Sequence, residues 1–193
     1  KNTLTTIKNQ FQTGTCWAFA ALSCTESNLI QKGLENQNVQ FSVPSLVLST
    51  YANGGFDESI WDCGGTWMDS SLAMAAHRGL CYDEYEPFVS DGTEATIVSE
   101  EKKGVCEYQL NYASTITGGR NAIKNKIKEL GGVMVSYYAD DLYMTFDNKS
   151  YYDPETTKYS GINHAVSVVG WDDNYSKSNF LAGYQPKKNG AWL

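Results

Sequence analysis

The sequence lacks the features of several protein classes. Its 193 residues include 4 prolines and 17 glycines and show no internal repeat, which excludes a collagen-like or low-complexity chain. Charged residues make up only 19% and apolar residues 41%, the balance of a folded domain rather than a disordered tail. The longest strongly apolar stretch, Cys16 to Leu22, is far shorter than the ~20 residues that cross a bilayer. We therefore expect a globular domain without membrane insertion.

Basic residues are also in short supply. The 15 lysines and arginines face 22 aspartates and glutamates, which leaves a formal net charge of −7. That balance repels a phosphate backbone and offers no cationic face to anionic lipid. Nucleic acid is accordingly not an expected partner.

The cysteines lack metal-site spacing. No two of them form a C-x-x-C pair, so we predict no structural zinc site, and nothing else in the sequence indicates a metal or another cofactor. Their odd number requires at least one free thiol and leaves room for one or two disulfides, whose pairing the spacing does not determine. The five are Cys16, Cys24, Cys63, Cys81 and Cys106.

The first half of the chain is predicted to be mainly helical. Apolar residues recur with the helical period from Trp17 to Lys32, and Gly33 ends the pattern. Gly14 and Thr15 provide a turn and an N-cap, which places Cys16 in the first turn of that helix.

Two further helices are predicted before residue 80. Ser42 and Pro44 mark the start of a short one. Another runs over about Asp69 to His77 and is closed by Gly79.

The second half favours strands. Its β-branched runs and loose alternation contrast with the first half and indicate an α+β fold of two lobes, a helical one over 1–107 and a β-rich one over 108–193, with a cleft between them. The predicted segments are an alternating stretch at 108–116, a helix at 121–130 ending at Gly131 and Gly132, and strands at 133–138, 164–170 and 190–193.

Cysteine and histidine are the candidate reactive residues. A thiol at a helix start gains from the unpaired N–H groups there, which favour the thiolate, so Cys16 is a candidate nucleophile. The chain has only two histidines to act as its base. His77 is predicted near a helix C-terminus, where a surface cation opposing the dipole explains it. His164 opens a buried strand, from which its ring can project into a cleft.

Two segments resemble the motifs of papain-like cysteine peptidases. Residues 8–19 read KNQFQTGTCWAF, and residues 163–171 read NHAVSVVGW. The separation of Cys16 from His164 also falls in the range of about 130–150 residues typical of that family. The resemblance implies the family's two-lobed α+β fold, with Cys16 as nucleophile, His164 as its ion-pair partner and general acid, and Gln10 as a donor to the oxyanion.

The resemblance also implies substrate contacts and a third catalytic residue. Gly64 and Gly65 would pair through their backbone with an extended peptide, and Trp67 and Asn163 would line neighbouring subsites. Trp17 is expected to pack beneath the cleft. The family's orienting asparagine is expected beyond residue 193, so the β-rich lobe would be incomplete at its C-terminal end, and a second chain or a propeptide is a candidate partner.

One departure from the family concerns a disulfide. Thr13 and Asp62 stand where many relatives have a cysteine pair. The loss of both halves favours a bacterial-type secreted or cell-surface relative over a lysosomal one.

The predicted function is that of a cysteine endopeptidase acting on proteins or peptides through a thioester acyl-enzyme. Two alternatives remain open at this stage. One is a catalytically inactive binding or adhesion module that kept the groove, and the other is an acyl transferase that uses the same Cys-His pair with an amine acceptor.

Overall fold

A computed structural model describes most of the chain. It covers residues 2–51, 65–75, 79–85, 87–90, 95–96, 106–147, 149–155 and 161–193. The predictions made for Asp62, Cys63, Gly64 and His77 fall outside these described residues. The helices are α1 (Cys16–Lys32), α2 (Val43–Tyr51), α3 (Trp67–Ala75) and α4 (Arg120–Leu130).

Helix α1 forms where the apolar period predicted it and begins at Cys16. Gly33 ends it with a φ of 75°, a left-handed conformation that glycine adopts without a side-chain clash. The Gly33 N–H donates to the carbonyl of Ile30, which satisfies one of the last helical carbonyls.

Side-chain caps determine where α2 and α3 begin. Ser42 Oγ accepts a hydrogen bond from the Ser45 N–H at 3.0 Å, which confirms Ser42 as an N-cap. Thr66 and Asp69 cap reciprocally, because Asp69 Oδ2 accepts from the Thr66 N–H and hydroxyl, both at 2.7 Å, and the Asp69 N–H donates to Thr66 Oγ1 at 3.3 Å. Helix α3 therefore begins at Trp67, earlier than the predicted start at Asp69.

The strands of the described residues are short and pair antiparallel, β1 with β4, β2 with β3, β5 with β6 and β7 with β8. They are β1 (Leu80–Cys81), β2 (Val89–Ser90), β3 (Ala95–Thr96), β4 (Cys106–Tyr108), β5 (Val133–Tyr137), β6 (His164–Val168), β7 (Trp171–Asp172) and β8 (Ala191–Trp192). The strands predicted at 133–138, 164–170 and 190–193 are thus confirmed over 133–137, 164–168 and 191–192.

The alternating stretch at 108–116 does not extend as a strand. Only its first residue belongs to β4, and the segment beyond it is irregular and largely exposed. An alternating pattern forms a stable strand only when one face is buried and a neighbour completes the ladder. Here the Leu110 N–H donates instead to the carbonyl of Met74 in α3, at 3.1 Å.

Helix α1 lies at the centre of the larger hydrophobic core. Trp17 and Leu22 on α1 are fully buried, and Val47 of α2, Ala73 of α3 and Ala165 of β6 belong to the same cluster. The core therefore draws on both predicted lobes, whose division at residues 107 and 108 stays a prediction.

Strand alternation gives the β5–β6 sheet two different faces. Ala165 and Ser167 turn toward α1, whereas Val168 turns toward a smaller core beneath α4. His164 and its register partner Tyr137 share the face of Val168. Because His164 is the first residue of β6, its side chain stands at the end of the sheet.

Helix α1 and strand β6 run in the same direction. Cys24 Sγ of α1 lies 3.1 Å from Ser167 Oγ of β6. Further along the helix, Ser27 Oγ accepts a hydrogen bond at 2.9 Å from the N–H of Gly132. Gly132 directly precedes Val133, the first residue of β5, which pairs with Val168 at the last residue of β6. Moving from Cys24 to Ser27 along α1 therefore corresponds to moving from Ser167 toward Val168 along β6, so the two elements are parallel.

The parallel alignment brings the starts of the two elements to one end of the molecule. From Cys24 back to Cys16 is about 12 Å of helix at ~1.5 Å per residue. From Ser167 back to His164 is about 10 Å of strand at ~3.3 Å per residue. Cys16 and His164 are therefore at the same end of the α1–β6 contact.

Two glycines allow α1 to approach the sheet this closely. Gly131 has a φ of 90°, and a Cβ there would lie 2.6 Å from Ser27 Oγ and 2.8 Å from the Ser27 carbonyl carbon. A Cβ at Gly132 would lie 2.8 Å from Ser167 Oγ. A side chain at Gly131 would overlap α1 itself, whereas one at Gly132 would first overlap Ser167 of β6, with the Cα of Cys24 at a van der Waals distance of 3.5 Å.

We expect Gly131→Ala to lower the free energy of unfolding by about 3 kcal/mol, because it adds a steric overlap with Ser27 to the strain of an alanine at φ 90° and ψ −141°, a conformation that favours glycine. Gly33→Ala is the matched control, since Gly33 also has a positive φ but nothing within 4 Å of its Cβ position. It should cost only about 1 kcal/mol. Urea denaturation measures both, and equal losses would show that the approach of α1 to the sheet is not the constraint.

Candidate active site

Cys16 occupies the first position of α1, at the positive end of the helix dipole. The carbonyl of Thr15 accepts the N–H groups of Ala18 at 3.0 Å and Phe19 at 3.2 Å, which are the first helical bonds. The N–H groups of Cys16 and Trp17 precede them. The first turn of α1, all of it described, holds no acidic residue that would offset the positive dipole end.

A tight turn before α1 carries Gln10. The Thr13 N–H and hydroxyl donate to the Gln10 carbonyl at 3.3 and 2.7 Å, and Gln10 Nε2 donates to the Thr13 carbonyl at 2.8 Å. Phe11 has a φ of 52°, a left-handed conformation that is uncommon for residues other than glycine. A side-chain amide has two N–H donors, so the bond to Thr13 leaves Gln10 a second one for a ligand. The hydroxyl of Thr15, the N-cap residue, supports this turn by pairing with the Thr13 hydroxyl at 2.6 Å rather than with a helix N–H.

A buried carboxylate anchors the segment that leads into this turn. Glu26 of α1 is fully buried and forms an ion pair with Lys8. Its carboxylate also accepts the Thr5 hydroxyl at 3.0 Å and the Phe41 N–H at 2.9 Å. Because Lys8 comes shortly before Gln10, the ion pair attaches the turn to the same helix that carries Cys16.

His164 contacts an aromatic residue on the neighbouring strand. Its ring and that of Tyr137 meet edge to face, with centroids 5.7 Å apart and planes at 69°. Burial lowers the pKa of His164 below its ordinary value of 6.5, because desolvation disfavours the charged imidazolium. The neutral imidazole is therefore favoured unless an anion stands nearby.

Tyr137 connects the histidine with the cysteine. Burial raises the pKa of the Tyr137 phenol, and the negative charge of a Cys16 thiolate raises it further. Tyr137 is thus close enough to Cys16 to sense its charge while its ring touches His164. The structure brings these three side chains to one end of the α1–β6 contact.

The second free thiol has a different environment. Burial raises the pKa of Cys24 to about 12, with a smaller contribution from the charge of Glu26, so this thiol stays protonated near neutral pH. Cys81 is disulfide-bonded. With both Cys16 and Cys24 free, five cysteines permit only one disulfide within the chain, so the upper expectation of two is wrong.

Two of the predicted substrate residues lie next to the start of α1 or α3. Gly65 packs on the indole of Trp17, where a Cβ would come within 2.5 Å of ring carbons. Trp17 itself is fully buried, as expected for an aromatic residue that packs beneath a cleft. Trp67, the first residue of α3, is 44% exposed. Close packing on Trp17 is a sufficient reason for a glycine at position 65, and the substrate contacts of Gly65 and Trp67 stay predictions.

Asn163 uses its side chain to hold the end of the β5–β6 pair. Its Oδ1 accepts the Ala139 N–H at 2.6 Å, and its Nδ2 donates to the Ala139 carbonyl at 2.9 Å. The Asn163 N–H also donates to the carbonyl of Tyr137 at 3.2 Å. These bonds fix the backbone immediately before His164, and a substrate contact of Asn163 stays a prediction.

The described residues also bear on metal binding and on membrane insertion. In the part of the chain that the structure describes, no three His, Cys, Asp or Glu side chains come together in a way that could hold a metal ion. The helices of the described residues also include none that is long and apolar enough to cross a membrane.

Sequence reasoning did not single out Tyr137, Glu26 or Lys8. A signal existed for Glu26, because an acidic residue interrupts the otherwise apolar and small side chains that α1 buries. No comparable signal marked Tyr137. Its relation to His164 depends on the strand register, which the sequence does not display.

An α+β fold with a cysteine at a helix start and a histidine at the start of the adjacent strand is the arrangement of a thiol peptidase. Residues 1–185 match the profile described as papain family cysteine protease. This match covers almost the whole chain, and the chain belongs to the papain family of cysteine proteases.

Curated relatives are similar to the chain at moderate identity. Cathepsin K of Mus musculus is 27% identical over 182 residues, which cover 94% of this chain and 52% of the relative. Gamete and mating-type specific protein A of Dictyostelium discoideum is 28% identical over 171 residues, 87% of this chain and 35% of the relative. The chain thus spans about half or less of these relatives' length.

Solved structures confirm the papain-like α+β fold. The clostridial cysteine protease Cwp84 after propeptide cleavage has a TM-score of 0.77 and 29% identity over 98% of this chain and 46% of that protein. A second structure contains the cysteine protease and lectin-like domains of Cwp84, a surface layer associated protein of Clostridium difficile. It has a TM-score of 0.74 and 30% identity over 98% of this chain and 41% of that one.

We expect Glu26→Ala to destabilise the protein by about 3–5 kcal/mol, because it leaves the largely buried Lys8 ammonium and the Phe41 N–H without their acceptor. Glu129→Ala is the control, since Glu129 pairs with Lys126 at 2.8 Å on an exposed surface and should contribute at most about 0.5 kcal/mol. Thermal or urea denaturation compares the two. Similar losses in both variants would contradict an anchoring role for Glu26.

Proposed function

We propose that the chain carries the active site of a cysteine endopeptidase that hydrolyses peptide bonds through a thioester acyl-enzyme. The observation that carries this proposal is the placement of Cys16 and His164 at the same end of the α1–β6 contact, with Tyr137 close to both. Membership of the papain family supports the same reaction class.

In this reaction the Cys16 thiolate attacks the carbonyl carbon of the scissile peptide bond. The His164 imidazolium donates its proton to the leaving nitrogen, so the C–N bond breaks, an amine departs and a thioester remains. Water then attacks the thioester while neutral His164 accepts a proton. Breaking the C–S bond releases the carboxylic acid product and regenerates the thiolate. The reaction needs neither a metal nor another cofactor.

The oxyanion of each tetrahedral intermediate requires fixed donors. The Cys16 N–H at the helix start and the second amide hydrogen of Gln10 are the proposed pair. Three observations support Gln10 in this role: its amide is already held by the Thr13 carbonyl, its turn is strained at Phe11, and its segment is anchored to α1 through Lys8.

The proposed substrates are proteins or extended peptides. Gly64 and Gly65 would offer backbone groups to the peptide, while Trp67 and Asn163 would border its subsites. A propeptide or a second chain belongs to the same proposal, because the similar clostridial protease Cwp84 was solved after propeptide cleavage. By analogy with the surface layer associated Cwp84, we propose a secreted or cell-surface location.

The site can be tested with a peptidyl diazomethyl ketone, which alkylates a reactive active-site thiolate. In the complete domain we expect one label per molecule, lost in Cys16→Ser and kept in the matched variant Cys24→Ser, because the buried Cys24 thiol stays protonated. Mass spectrometry of tryptic peptides locates the label. An unlabelled wild-type domain would instead favour a binding module, and a label that survives Cys16→Ser would refute the assignment of the nucleophile.

We expect Gln10→Ala to lower kcat by about 10²–10³-fold, the usual effect of losing one oxyanion donor. Gln12→Ala is the control, since Gln12 is an exposed residue of the same turn. Peptide hydrolysis at matched folded concentration measures both. Equal activity of the two variants would exclude Gln10 from the oxyanion site, and an amide product formed with added amine would indicate acyl transfer rather than hydrolysis.

A further inference from the structure

Tyr137 and Tyr151 form an aromatic pair, and Tyr137 of this pair contacts the imidazole of His164. The Tyr137 and His164 ring centroids are 5.7 Å apart, and those of Tyr137 and Tyr151 are 5.4 Å apart with planes at 55°. The Tyr151 hydroxyl donates to the Tyr138 carbonyl at 2.9 Å, and the backbone of Tyr151 bridges that of Met144. The Tyr137 ring is therefore held between a fixed tyrosine and the histidine.

The packing of α1 does not by itself orient the imidazole. Ala165 and Ser167 contact α1, whereas His164 projects from the other face of β6. On that face, the ring contact that the structure describes for His164 is the one with Tyr137.

The backbone around this contact is rigid. Asn163 bonds both the N–H and the carbonyl of Ala139, which lies just beyond the end of β5. These bonds close the end of the strand pair beyond the Tyr137–His164 register position, and the ladder continues on the other side with Ser136 and Ala165. Remaining freedom of His164 is confined to its side-chain torsions, which an edge-to-face contact restricts.

We propose that Tyr137 is a positioning residue whose aromatic ring holds the His164 imidazole at the end of the sheet, oriented toward Cys16. This inference rests on the proposed peptidase function and adds a residue that acts through the histidine. The ring performs the role by contact and by excluding water from the imidazole. The phenolic hydroxyl is not required for it.

Other titratable groups surround this contact. The charge of Cys16 acts on Tyr137 from the start of α1, and Asp140 and Asp153 act on Tyr151 from the segments next to it. The Cys16 thiolate would favour the imidazolium, so the effect of the ring on His164 is measured most directly in a Cys16→Ser background.

The test combines kinetics with NMR titration of His164 in the complete domain. A His77→Gln background leaves His164 as the chain's one histidine and so assigns its resonance. We expect Tyr137→Ala to lower kcat by about 10- to 100-fold with little change in KM, because a misplaced catalytic group slows the chemical step more than substrate binding. In the Cys16→Ser background the same variant should raise the pKa of His164 toward 6.5, since water regains access to the ring. Tyr137→Phe should keep both properties, with kcat within about twofold of wild type.

Two further variants make the outcome decisive. Tyr112→Ala controls for the loss of a tyrosine, because Tyr112 is 79% exposed, and it should change neither readout. If Tyr137→Ala does not fold, Tyr137→Leu fills the space without an aromatic ring and should lose kcat to a similar degree.

The outcomes separate this inference from the proposed function. Unchanged kcat and an unchanged His164 titration in Tyr137→Ala, or unchanged kcat in a folded Tyr137→Leu, would overturn it. A Tyr137→Phe variant as impaired as Tyr137→Ala would assign the effect to the hydroxyl and overturn the role of the ring. A wild-type domain that is not labelled at Cys16 would refute the peptidase proposal, whereas the titration in Cys16→Ser would still decide whether Tyr137 controls the environment of His164.

Discussion

The close packing of α1 on the β5–β6 sheet is the constraint on which the rest of the site depends. Gly131 and Gly132 have no side chains where the helix approaches, so Ser27 can accept the N–H of Gly132. This contact aligns the helix with strand β6 and puts the first residues of both elements at one end. A cysteine and a histidine that are far apart in the chain thereby lie at the same end of this contact, and the rigid elements that carry them limit their relative movement.

The same helix carries two free thiols in different positions. Cys16 stands at the helix start, at the positive end of the helix dipole. Cys24 lies against the sheet, where burial raises its pKa to about 12. Position along one helix thus separates a candidate nucleophile from an inert packing residue. Glu26 then attaches the N-terminal segment to this helix, so the turn bearing Gln10 and the nucleophile share one support.

The histidine illustrates how burial and charge oppose each other at such a site. Desolvation lowers the pKa of His164, which favours the neutral imidazole. A thiolate nearby favours the imidazolium instead, so formation of the proposed ion pair must compensate the cost of burying its positive partner. Tyr137 interacts with both groups, because its ring contacts the imidazole and the negative charge of a Cys16 thiolate raises the pKa of its phenol.

Local sequence was sufficient for α1, its start at Cys16 and its end at Gly33, because periodicity and a left-handed glycine act within a few residues. The motifs around Cys16 and His164 likewise pointed to the family, and that resemblance, rather than any local signal, implied a role for Gln10. Local sequence was not sufficient to predict the conformation of residues 108–116, because their alternating pattern has no buried face in the folded protein. Tertiary structure alone decided the partners of Glu26, the contact of Tyr137 with His164 and the protonated state of Cys24. These depend on strand register and burial, which arise only when distant segments pack together.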